Sequence, residues 1–307
     1  MRKSPLRRLP GLAALVFLAS CNSTEAECPQ TTGVALQVLG SGGPIADDAR
    51  ASSGYLLWID GTARVLIDAG GGTFLRFAEA GARFEDLDWI GLSHMHADHS
   101  ADFPALLKSG NFSGRQRPVP IAGPAGDGRF PGLESWLESM LDRDSGAYAY
   151  LAGFLDGTSG LPMLVSREVD DGDAAVVYRD DLIKVEAMRV PHGIVPAAAF
   201  KITTNDQSFV FGTDQNGSNA DFADFATGAS ILVMHMVIPE SASGVARRLH
   251  APPSVIGEIA TAAGPGKLVL SHFMARSLST MDKNVESIRS AYDGDIVLAV
   301  DLLCVRP

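Results

Sequence analysis

His94, His96, Asp98 and His99 put four metal-binding side chains within six residues, in the run His94-Met95-His96-Ala97-Asp98-His99. Imidazole and carboxylate are the donors that hold divalent ions while leaving room for water and substrate. The segment just before them, Leu87-Asp88-Trp89-Ile90-Gly91-Leu92, is short and strongly apolar and reads as a buried strand. The cluster therefore leaves a strand end, where side chains two apart turn to one side. His94 and His96 can share one ion while Asp98 and His99 reach a second. Two ions about 3.5–4 Å apart would acidify a bridging water, so that hydroxide is available at neutral pH to attack an ester. They would also neutralise charge building on a phosphoryl, sulfuryl or acyl oxygen.

The elements that must position this cluster can be followed along the chain. Val34 to Leu39 is a strand closed by the turn Gly40-Ser41-Gly42-Gly43-Pro44, whose glycine spacing does not make a dinucleotide fingerprint. Gly54–Ile59 and Ala63–Asp68 form a hairpin about Asp60-Gly61-Thr62. Asp68-Ala69-Gly70-Gly71-Gly72 then leads into an amphipathic helix, Thr73–Ala80. Asp68 is either a partner that orients a metal-binding histidine or a plain helix-entry acid. Beyond the cluster, Asp102–Lys108 reads as a short helix behind it. Residues 124–160 are rich in Gly, Pro and Asp and contain a helix, Leu133–Leu141, that either shapes the site or packs at the periphery. From Leu161 the pattern returns to strands, and chemistry sits at their ends: His192 after Ile183–Val190, Asp214 after Ser208–Gly212, His235 closing Ser230–His235, and His272 at the end of Lys267–Phe273. His250 precedes a helix, Ser254–Ala263. All seven histidines of the chain occupy such positions.

Strand, Leu66-Ile67-Asp68-Ala69-Gly70 turn, helix, strand and the HMHADH cluster, followed by later motifs in matching order, resemble the metallo-β-lactamase fold superfamily over nearly the whole chain after the leader. The resemblance implies an α/β fold, a four-layer αββα sandwich with a dinuclear site at one edge of two sheets. It implies that His192 completes the first metal site with His94 and His96, that Asp214 bridges both ions, and that His272 joins Asp98 and His99 on the second. Asp98 would also hold the nucleophile. The closest likeness is to the ribonuclease Z-like phosphodiesterase and arylsulfatase branch, where His235 stands in the place of a histidine that protonates the leaving group and His250 in that of a second loop histidine. Each is equally readable as a neutral, hydrogen-bonded histidine. That branch usually has an acid directly after the first of these, and here Met236 stands there. Zinc is the expected ion at both positions, with manganese or iron as alternatives.

The remaining features bear on substrate and location. Arg2, Lys3, Arg7 and Arg8 followed by the apolar Leu12–Leu18 make residues 1–20 a signal peptide, too short for a membrane-spanning helix. Leu18-Ala19-Ser20-Cys21 resembles the bacterial lipobox, which implies lipidation at Cys21; an ordinary secretory signal with a chance cysteine is the alternative. The small, polar residues that follow read as a linker, 21–32, before a hydrolase domain over 33–307. Asn22 after the cysteine implies an outer-membrane-anchored periplasmic lipoprotein in a Gram-negative cell, or otherwise the outer face of the cell membrane. Cys28 and Cys304 then form an even pair in an oxidising compartment, either bridged or two free thiols. The whole chain carries a formal charge of −11; without the four basic leader residues it is about −15. No basic face is visible to displace counterions from nucleic acid. The tRNA-processing members carry a long arm between the counterparts of His192 and Asp214, where this chain has a tight hairpin. The expectation is an exported, dinuclear hydrolase of a small ester, foremost a phosphodiester. A sulfate ester, lactone or β-lactam substrate is the alternative, and a lipid-tethered binding protein without turnover is the alternative of another class. Oligomeric state is not readable from the sequence.

Overall fold

Every residue of Val34–Gly40 (β1) is buried, and its side chains alternate between two cores. Val34, Leu36 and Val38 face one apolar cluster, while Ala35 and Leu39 face another. A strand buried on both faces must lie inside a stack of layers. The computed structural model, which describes Cys28 and residues 32–307, shows that stack. β1 pairs with Gly54–Ile59 (β2), then Thr62–Ile67 (β3), Trp89–Gly91 (β4), Val119–Pro124 (β5) and Leu164–Val169 (β6) follow in order. The second sheet runs Ala175–Arg179 (β7), Lys184–His192 (β8), Val195–Thr204 (β9), Gln207–Phe211 (β10), Ile231–His235 (β11), Lys267–Ser271 (β12) and Asp295–Leu298 (β13). The last strand, Cys304–Val305 (β14), returns to the first sheet beside β1.

The two sheets repeat one plan. In each, antiparallel hairpins come first and parallel strands follow: β3, β4, β5 and β6 in one, β10, β11, β12 and β13 in the other. The hairpin turns are tight, with both central residues left-handed at Asp60-Gly61 (φ 47° and 75°) and Asn205-Asp206 (φ 47° and 61°). Between the sheets, Leu57, Val65, Ile67 and Trp89 meet Val185, Phe200, Phe209 and Val233. Outside the first sheet, Leu56, Leu66 and Ile90 meet Phe103, Leu106, Leu137 and Phe154 from helices. Outside the second, Ile256, Ile259 and Ile288 close the core. The architecture is the four-layer αββα sandwich.

Two placements were left open or assigned otherwise by the sequence. The helix Leu133–Leu141 buries Leu133, Leu137, Met140 and Leu141 in the outer core of the first sheet and contributes nothing to the cavity described below, so it is a packing layer there. Its apolar spacing shows that one face is buried, but not against which partner. Cys28, assigned to the linker, is buried with its sulfur 2.23 Å from that of Cys304, a disulfide across 276 residues. Removing such a bridge commonly costs about 2–5 kcal/mol. Residues 1–20 and Cys21 lie outside the described residues. Among the described residues no helix is long and apolar enough to cross a membrane.

Candidate metal centre

The carboxyl ends of strands from both sheets meet at one edge. Three residues there adopt left-handed backbone conformations: Asp68 after β3 (φ 58°), Thr213 after β10 (φ 52°) and His272 after β12 (φ 58°). Such conformations cost non-glycine residues about 1 kcal/mol or more and persist only where the surroundings enforce them. Asp68 is enforced by Ser93, whose N–H donates to Oδ1 at 2.7 Å and whose hydroxyl donates to Oδ2 at 2.9 Å. The Thr213 hydroxyl donates to the Ala198 carbonyl. His272 packs on Gly43, where an added Cβ would lie 2.9 Å from the imidazole Cε1, so only glycine fits.

The HMHADH cluster begins as expected at the end of β4 but is not all loop. Ala97–Ser100 is a short helical turn with His96 at its N-cap, and it carries Asp98 and His99. That turn splits the cluster between two directions. His94 Nε2 faces His96 Nδ1 at 2.9 Å, and His99 Nε2 faces His272 Nε2 at 3.0 Å. The nitrogens of His94, His96 and His192 form one group lying within 4.8 Å of one another. His99, His272, His235 and Asp214 form a second, with Asp98 Oδ2 3.2 Å from His272 Nε2 and 3.7 Å from His99 Nε2. Asp214 stands between the groups: its Oδ2 is 3.6 Å from His192 Nε2 and 3.7 Å from His99 Nε2.

The hydrogen bonds fix which nitrogens keep a free lone pair. His192 Nδ1–H donates to the Leu249 carbonyl at 2.9 Å, which leaves Nε2 buried and without a partner. His99 Nδ1–H donates to Asp68 Oδ2 at 2.7 Å. His94 Nδ1 meets the Ser93 hydroxyl at 3.1 Å. Because that hydroxyl gives its proton to Asp68, it accepts from His94. In each ring Nδ1 is thus occupied and Nε2 is the nitrogen turned inward, the arrangement that metal-ligating histidines show. Ring nitrogens facing each other at 2.9 and 3.0 Å match a shared cation, since tetrahedral bonds of about 2.0–2.1 Å set donors a little over 3 Å apart. The donor set fits a pair of divalent ions, His94, His96 and His192 on one and Asp98, His99 and His272 on the other, with Asp214 shared.

Electrostatics separate the two groups. Burial, reinforced by His99 and His192, holds His94 well below the usual histidine value. Burial also opposes protonation of His99, but Asp68, Asp98 and Asp214 outweigh it and hold that imidazole well above the usual value. Asp214 lies well below the carboxylate range: burial pushes it up, and His272, His250, His235 and His99 more than reverse that.

His235 is not where a proton donor to substrate would be. It is buried, and both ring nitrogens are engaged: Nδ1–H donates to Asp214 Oδ1 at 2.7 Å, and Nε2 accepts from the Tyr55 hydroxyl at 3.0 Å. Burial brings it down to about 4, consistent with a neutral ring. Burial likewise keeps the Tyr55 proton on, above the usual phenol value. His235 therefore holds the Asp214 carboxylate in place. His250, by contrast, faces the cavity, with Nδ1 buried, unpartnered and 3.7 Å from Asp214 Oδ1. Burial lowers it to about 3.

The centre opens into a cavity of about 360 Å³, lined by His96, Asp98, His192, Asp214, His250 and His272 together with Pro44, Ala97, Leu249, Met274 and Arg276. Arg276 was not singled out from sequence, although it lies four residues after His272 at a helix start. Its Nε–H donates to the Val237 carbonyl at 3.1 Å, which fixes the guanidinium at the cavity wall. Tyr55 and Ser93 were also missed. Nothing in a strand such as Gly54–Ile59 marks one buried hydroxyl as functional.

Comparison with known proteins agrees with this fold. The family described as "Beta-lactamase superfamily domain" matches residues 63–273. A ribonuclease Z from Mycolicibacterium gilvum is 28% identical over 252 residues, 78% of this chain and 84% of that protein. Among solved structures, the short form of human tRNase Z matches with a TM-score of 0.69 at 19% identity, over 89% of this chain and 98% of that one. A diphosphatase of the PhnP family matches with a TM-score of 0.63 at 18% identity, over 90% and 98%.

Proposed function

Since the chain belongs to the beta-lactamase superfamily, we propose that it is a metal-dependent hydrolase that uses two ions to cleave small anionic esters, foremost phosphodiesters. The observation that carries this reading is Asp214, whose one carboxylate oxygen lies 3.6 Å from His192 Nε2 and 3.7 Å from His99 Nε2, joining two otherwise complete donor groups. Divalent ions held there would supply Lewis acidity, activating water and neutralising charge on the ester. Zinc suits the imidazole-rich donors; manganese or iron is compatible with the carboxylates.

The chain's own residues divide the remaining work. Asp98 lines the cavity beside His99 and His272, where its carboxylate can orient the attacking water. Arg276 is the cation of the cavity wall and pairs with a non-bridging oxygen of the substrate. His250, neutral and facing the cavity, presents an N–H to the departing oxygen, as neutral imidazoles do where burial lowers their pKa. His235 and Tyr55 hold Asp214 in register from behind.

The relatives named for ribonuclease Z act on RNA by their names, whereas three features favour a smaller substrate here. The mature chain is strongly acidic, the cavity is small, and two residues, Gly193 and Ile194, connect β8 directly to β9. A sulfate ester or lactone is the second reading, because the same donors stabilise those transition states. Export and a lipid anchor at Cys21 belong to the proposal too. The Cys28–Cys304 bridge supports them, since such bonds persist in oxidising compartments. The test is to load a form lacking the leader and Cys21 with zinc and assay bis(p-nitrophenyl) phosphate, p-nitrophenyl sulfate, a lactone and nitrocefin. Turnover greatest with the phosphodiester supports the proposal; no turnover of any of them sinks it. Absence of lipid labelling at Cys21 in cells would refute the anchor.

A further inference from the structure

The cavity wall is not uniformly polar. Beside the donors and Arg276 it includes Pro44, Ala97, Leu249 and Met274, all apolar. Three connections adjoining these residues each carry a large apolar side chain left in water. Ile45, adjacent to Pro44, is 52% exposed; Ile194, at the tip of the β8–β9 hairpin after His192, is 59% exposed. Val245 is 62% exposed and lies four residues before Leu249 on the helix Gly244–Leu249, hence on the same helical face. The hairpin and that helix touch: a Cβ on Gly193 would lie 2.7 Å from Leu249 Cδ2. Single exposed apolar residues are ordinary, but each of these three stands beside a wall residue of one cavity or a residue packed on it: Ile45 next to Pro44, Ile194 next to Gly193 against Leu249, and Val245 one turn from Leu249. The charged end of the same cavity is cationic at Arg276 and at the ions its donors would hold.

We propose that the preferred substrate is an amphiphile, an anionic ester carrying an alkyl or acyl chain, with its head at the centre and its chain along Leu249, Met274 and the rim residues Ile45, Ile194 and Val245. This rests on the hydrolase reading for the chemistry at the head, but not for the binding of the chain. Each methylene taken out of water is worth up to about fourfold in affinity, so partial shelter of seven additional carbons gives a gain of roughly 30-fold or more.

The experiment uses zinc-loaded protein and methyl, butyl and octyl p-nitrophenyl phosphate below their micellar concentrations. kcat/KM should rise by at least about 30-fold from methyl to octyl. In the triple variant Ile45→Ser, Ile194→Ser, Val245→Ser, the octyl-to-methyl ratio should fall below about fivefold. Calorimetry with methylphosphonate and octylphosphonate reads the same preference without turnover. Equal binding of the two phosphonates, or a ratio unchanged in the triple variant, would overturn the proposal. Tight octylphosphonate binding lost in the triple variant, with no ester hydrolysed, would uphold it and overturn the hydrolase reading instead.

Discussion

His192 and His99 flank Asp214 at 3.6 and 3.7 Å from the same oxygen, yet they are held by different means. His192 leans on a neutral acceptor, the Leu249 carbonyl. His99 leans on Asp68, a buried carboxylate that is itself fixed twice by Ser93. Around His192 the other donors are imidazoles, His94 and His96, whereas around His99 they include Asp98. One half of the centre is therefore nitrogen-rich, and the other adds carboxylates. The lesson is that ligands of one residue type can be given unequal grip on a cation by what stands behind them.

Removing the charged support should have the largest effect. Asp68→Ala leaves His99 Nδ1 and the Ser93 N–H without partners in a fully buried setting, which should cost about 3–5 kcal/mol of stability. Denaturant unfolding would measure it. The same variant should lose one ion about 10–100-fold more readily than the other in a zinc titration. Equal loss of both would erase the distinction between the halves. His192→Ala should mirror this with less damage to the fold: one ion is lost, the other is retained, and the unfolding midpoint shifts by the equivalent of about 1–2 kcal/mol.

Proton release should separate the halves further. Asp68, Asp98 and Asp214 raise His99, so in the metal-free protein its imidazolium persists at neutral pH, while burial keeps His94 neutral. A metal must displace the His99 proton, so affinity of that half should rise with pH until pH passes the raised value. Loading it at pH 7 should release a proton from His99 into weakly buffered solution, whereas His94 and His96 should release none. A pH-indicator titration distinguishes the two. The smallest effect is expected from Tyr55→Phe, which removes one hydrogen bond to His235, worth about 1 kcal/mol. Metal retention should weaken several-fold and KM should stay near its original value. A changed KM with metal retention untouched would remove Tyr55 from the positioning of Asp214.

Much of this was legible in the chain because the chemistry sits where strands stop. HMHADH is contiguous, and Asp214 and His272 each follow a strongly apolar run, so pattern and donor type coincided. The role of His235 was not legible. It depends on which way a ring turns at the end of β11, and that is set by Asp214 and Tyr55, 21 and 180 residues away. The helix Leu133–Leu141 was found at its observed bounds, but amphipathicity does not name the surface it packs on. The short β13 has partly exposed residues and polar flanks, and two-residue β14 carries no periodicity at all.

The central claim is that Asp214 unites two ions. The direct measurement is metal content by elemental analysis after zinc repletion and gel filtration, for the native chain and for Asp214→Ala. Two ions per chain in the first and fewer than one in the second are expected. Fewer than one ion per native chain, or two retained without Asp214, would contradict the account.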